Sequence, residues 1–151
     1  MRKFILYTSI SFLFMACADN SSEERKDGYS ERATNPEDSL FEEVMHGHDT
    51  AMAKMGRLSR YRKDVDAKLD SLEKKGSKAS ASLKSTLKEL GADLKRAEDG
   101  MNQWMQDFDI DSAQENVERR IDYLKNEKIK VDDVKEKILE TLKRADSLLK
   151  K

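Results

Sequence analysis

The chain has 151 residues, with 29 Lys and Arg against 30 Asp and Glu, a net charge of −1, and 39% charged but only 7% aromatic residues. Charges of both signs are interspersed along it, which argues against nucleic acid as a partner, because that needs a concentrated basic face. A single cysteine excludes an intramolecular disulfide, and so much charge with so few aromatics points to long helices with solvated faces around one narrow core.

Residues 1–16 read as a secretory signal. Arg2 and Lys3 make a basic start, and Phe4 to Ala16 are almost all apolar with no carboxylate. The run is shorter than the about 20 apolar residues a spanning helix needs. Phe14-Met15-Ala16-Cys17 resembles the lipobox of bacterial lipoproteins, with Phe14 where Leu is usual. The resemblance implies that Cys17 is acylated and becomes the new N-terminus. Acyl chains there would hold the protein on a membrane. A plain secretory signal with a chance cysteine is the alternative. Loss of residues 1–16 removes two basic residues and no acidic one, leaving a net charge of −3. The stretch Ala18-Asp19-Asn20-Ser21-Ser22-Glu23-Glu24 is similar to the tethers of Bacteroidota-type lipoproteins. The expected location is therefore the cell envelope, lipid-anchored on the outer membrane, with its periplasmic or surface side left open. Residues 17–35 form the lipidated cysteine and a flexible tether.

Residues 36–151 are expected to form an all-α, elongated, antiparallel three-helix bundle of coiled-coil character. Asn35-Pro36 reads as a helix start, with Glu37 and Asp38 suited to the first turn. The first helix, about 36–74, carries Phe41, Val44, His48, Ala51, Met55, Leu58, Arg62, Val65, Leu69 and Leu72 at alternating three- and four-residue spacing. Gly76-Ser77 ends it. The second, about 79–107, carries Leu83, Leu87, Leu90, Leu94, Ala97, Met101, Trp104 and Phe108. Ser112 with Glu115 reads as a capping box opening the third helix, about 113–149. Its stripe is Val117, Ile121, Leu124, Lys128, Val131, Lys135, Ile138, Leu142, Ala145 and Leu149. Short turns favour an up-down-up monomer, with an open or oligomeric coiled coil as the alternative.

One cluster carries chemistry. Beyond the signal, the methionines are Met45, Met52, Met55, Met101 and Met105, confined to two short segments. Met45 and Met52 lie three before and four after His48, on one helix face, and Met101, Met105 and the only tryptophan, Trp104, share another. Counting outward from a turn at residue 76 places His48 and Trp104 at one level. Thioether and imidazole donors suit cuprous or silver ions, and the Trp104 face is suited to capping such a cation by a cation–π contact. The Met45-to-His48 spacing resembles motifs of periplasmic silver- and copper-binding proteins, and the Met-His-Trp set is similar to the cuprous site of small periplasmic copper chaperones of a different fold. The competing reading needs no ion at all: methionine packs well against aromatic rings. Asp49 is either surface charge alone or a residue that holds the His48 ring, and His46 projects away from the seam.

Arg62, Lys128 and Asp93 fall near one level by the same counting, either as a polar layer or as rim side chains reaching solvent. No nucleophile–base pair, phosphate loop, HExxH or CxxC occurs, so an enzyme is not expected. No cofactor is required by the pattern. The expected partners are the membrane, through the lipid, and an envelope protein.

Three blocks carry a wider resemblance: Val44-Met45 through His48-Asp49, Met52 and Lys54-Met55; Ala97-Glu98, Met101, Trp104-Met105 and Phe108; and Tyr123-Leu124, Glu127-Lys128, Lys130-Val131 and Val134. In that order they resemble small uncharacterised Bacteroidota lipoproteins sometimes labelled "viral A-type inclusion protein". Members often carry Pro where this chain has Ala53. The resemblance covers about residues 40–150 and implies fold and location, without an activity. The function expected is a lipid-anchored structural or interaction module, with soft-metal binding or buffering as the alternative.

Overall fold

A computed structural model describes residues 35–75 and 80–150. The signal segment, Cys17, the tether up to residue 34 and the Gly76-Ser77 turn lie outside the described residues. The fold is an all-α three-helix bundle of α1 (Pro36–Lys75), α2 (Ser80–Asp107) and α3 (Val117–Leu149), each packed against the other two. Among the described residues no helix is long and apolar enough to cross a membrane.

The start of α1 follows from its sequence. Asn35 Oδ1 accepts the Asp38 backbone N–H at 2.8 Å, and Glu37 and Asp38 place negative charge at the positive end of the helix. At 40 residues, α1 is about 60 Å long. Cross-helix pairs fix the directions. Arg120 lies opposite Glu37 and Asp146 opposite Arg57, so α1 and α3 run parallel. Arg62 meets Glu98 and His48 meets Trp104, so α2 runs against α1. The result is up-down-up.

Leu58, Leu87, Leu90, Leu94, Met101, Leu124, Val131 and Ile138 are fully buried between the helices. Their three-four spacing puts one such side chain inward at nearly every turn. Burying each contributes about 1.5–3 kcal/mol from removal of apolar surface from water.

The structure corrects several expectations. The third helix begins at Val117, not at 113 behind a Ser112–Glu115 box. Ala113 takes a left-handed φ of 59°, which breaks any helix through it. Asn116 is the cap, its side chain accepting the Arg119 N–H at 3.0 Å. Asp109 competes successfully for the loop: its side chain accepts the Asp111 N–H at 3.0 Å and its carbonyl the Ser112 N–H at 3.2 Å.

The seams also shift. Tyr61 is buried where Arg62 was expected, and Leu83 and Val117 are exposed, Val117 by 61%. On α3, Arg120 and Glu127 are buried while Lys128 and Lys135 lie at the rim. Arg62, Lys128 and Asp93 do not form a layer. Arg62 pairs with Glu98, Lys128 with Asp132 and Glu43, and Asp93 with Arg144 and Arg96. The parallel packing of α1 and α3 sets Lys128 level with Glu43, several turns from Arg62.

Candidate functional site

The Met, His and Trp residues lie in the half of the bundle where α1 begins and α2 ends. His48 of α1 and Trp104 of α2 lie with ring centroids 5.7 Å apart and planes tilted by 37°. This is the level match that counting from residue 76 anticipates. Trp104 stacks in turn on Phe108 at 4.9 Å, and Phe108 faces Tyr123 of α3 at 6.1 Å. Four rings thus link all three helices in one run.

Charged groups close this end. The Arg120 guanidinium lies 6.0 Å from the Phe41 ring centroid and 5.8 Å from that of Tyr123, within cation–π range, and its Nη1 donates to the Ser112 carbonyl at 2.9 Å. The Tyr123 hydroxyl accepts the Asp109 N–H at 2.7 Å, and burial pushes its pKa up. Glu127, only 3% exposed, holds Lys130 at 2.7 Å through Oε1. Trp104 Nε1, Arg120 Nε and Glu127 Oε2 are buried without hydrogen-bond partners. The burial of Arg120 and Glu127 was missed in the sequence. The spacing 120, 124, 127, 131 was there to be read, but two charged residue types concealed it.

The six proposed ligands do not share one environment. Met101 is fully buried in the core, and Met55 is partly buried against it. Met45 is half-buried. Met52 and Met105 are 38% and 37% exposed. His48 is partly accessible, and its Nδ1 lies 2.9 Å from Asp49 Oδ1, which favours the ring-holding reading of Asp49 over surface charge alone. His46 is exposed and borders a separate α1–α3 groove with Glu43, Lys128 and Asp132. There the ammonium groups of Lys135 and Lys128 hold Asp132 below the usual carboxylate range. Among the described residues no three His, Cys, Asp or Glu side chains converge as metal ligands.

No protein-family model, curated protein or solved structure matches this chain. The candidate site is therefore read from its own chemistry.

Helical register assigns Met52 and Met105 to one flank of the bundle. Asp66 and Gly91 both line the α1–α2 groove further along the bundle. Met52 lies two heptads before Asp66, and Met105 two heptads after Gly91. In antiparallel helices these steps run the same way along the bundle, so both residues stay on that flank. The arrangement brings a packed aromatic wall next to an open strip of imidazole and thioether groups.

Proposed function

We propose that the chain is a lipid-anchored protein of the bacterial cell envelope, tethered through Cys17, whose bundle serves as a structural or interaction module. The observation that carries the module reading is that every helix pair is bridged by an ion pair as well as by the shared core. Arg57–Asp146 joins α1 to α3, Arg62–Glu98 joins α1 to α2, and Arg144–Asp93 joins α2 to α3. With the shared core, these pairs make the bundle one packed unit whose charged rims are suited to meeting an envelope partner. The anchor reading is supported by the lipobox-like Phe14-Met15-Ala16-Cys17 and by the polar stretch between it and the capped start of α1. The outer membrane is the proposed site of anchoring.

The test is labelling of the full chain with radioactive palmitate in a bacterial host, followed by separation of inner and outer membranes. Label in the outer-membrane fraction, abolished in Cys17→Ser, is the expected result. A processed but unlabelled, soluble protein would overturn the anchor.

A further inference from the structure

We propose that the α1–α2 groove beside Trp104 is a binding site for a soft monovalent cation, cuprous or silver, held by His48 Nε2 and the thioether sulfurs of Met52 and Met105. The inference is independent of the lipid anchor.

Three observations converge on these residues. First, Met52 and Met105 are left more than a third exposed, and register puts them on the same α1–α2 flank, whereas Met101 is fully buried. Their thioethers are therefore accessible to a ligand, as that of Met101 is not. Second, His48 stands between them in level: Met52 is one turn along α1, and Met105 adjoins Trp104, whose ring is 5.7 Å from the imidazole. Third, Asp49 engages Nδ1 at 2.9 Å. A carboxylate can only accept from Nδ1, which favours the proton there and leaves Nε2 as the donor nitrogen, the tautomer metal-bound imidazoles use.

The donor set then selects the ion. One neutral imidazole and two neutral thioethers offer soft, polarisable donors and no charge. Calcium and magnesium require oxygen ligands, and zinc favours thiolate, imidazole or carboxylate. A singly charged d10 ion suits three neutral soft donors. Met101 is excluded because it is wholly enclosed in the core, and Met55 because it packs against that core.

The test titrates the full chain carrying Cys17→Ser, which removes the competing thiol, with silver ion in chloride-free buffer containing detergent and excess free methionine as competitor. Trp104 is the sole tryptophan, so its fluorescence reports on the groove. The expected result is saturation at one silver ion per chain, with affinity about tenfold or more weaker in each of Met52→Leu, Met105→Leu and His48→Gln. Met101→Leu and Met55→Leu should bind as the parent does. Leucine conserves volume at the exposed positions, and helical circular dichroism checks that each variant is folded. Absence of saturable binding overturns the proposal. So does parental affinity in Met52→Leu and Met105→Leu, or a loss in Met101→Leu as large as theirs.

Discussion

Gly47 of α1 lies directly against Val131 of α3: a β-carbon added at Gly47 would come within 2.9 Å of Val131 Cγ1. Here the two parallel helices approach through the missing side chain. Val131 is β-branched and fully buried, so its methyl has little freedom to turn away. Gly47→Ala should therefore destabilise the bundle by about 1–3 kcal/mol through overpacking, despite alanine's better helix propensity. Gly56 and Gly100 have nothing within 4 Å of such a carbon. Gly56→Ala and Gly100→Ala should each stabilise by about 0.5–1 kcal/mol. Urea midpoints of the three variants measure the contrast. Equal gains at all three positions would contradict the close approach.

The methionines should divide in stability as they do in burial. Met101→Ala opens a cavity in the core and should cost about 2–5 kcal/mol. Met105→Ala, four residues on, should stay within about 0.5 kcal/mol of the parent. Thermal unfolding followed by circular dichroism separates the two. A large loss at Met105 would mean that it belongs to the core.

The start of α3 can be tested at its two rival caps. Asn116 accepts the Arg119 N–H, so Asn116→Ala should cost about 1 kcal/mol. Ser112 is four residues ahead of the cap and separated from it by the left-handed Ala113, so Ser112→Ala should change stability by less than about 0.5 kcal/mol. Denaturant unfolding of both variants checks the order. A reversed order would restore the earlier helix start.

Acid should loosen the distal α1–α3 junction. Asp146 is held well below the usual carboxylate range by Lys150, Tyr61 and Arg57. A carboxyl whose folded pKa is depressed stabilises the fold above its unfolded pKa, about 3.9, and loses that contribution as pH falls through the folded value. Asp146→Asn should therefore lower the melting temperature at pH 7. The gap to the parent should narrow steadily below about pH 4. Melting curves from pH 7 down to pH 2 read this directly. A gap that stays constant with pH would show that the carboxylate charge contributes nothing to the junction.

Much of the site was legible because helical periodicity and chain connectivity are local properties. The three-four spacing along residues 36–75 and 80–107 defines two helices, and a short turn forces them antiparallel. Counting from the turn then brings His48 to Trp104 with no knowledge of side-chain packing. Asn35 and Pro36 mark the first helix start because capping involves only neighbouring residues. The start of α3 is not legible from spacing because two local signals compete. Ser112 with Glu115 offered a capping box, but Asp109 turned the loop first and Asn116 took the cap.

The amino-acid pattern by itself determined that the chain makes three helices, most of the α1 and α2 seam positions, and the level at which the His48 imidazole meets the Trp104 indole. Only the tertiary structure decided which flank of each seam is covered. A helix in a three-helix bundle packs against two neighbours at once, so its buried face is wider than one heptad seam, and the third helix selects its outer limits. That selection buried Tyr61, Arg120 and Glu127 and left Arg62 and Lys128 at the rim. The division of the methionines, by contrast, follows the spacing itself: Met101 lies on the α2 seam and is enclosed, while Met52 and Met105 lie beside the seams and stay partly exposed.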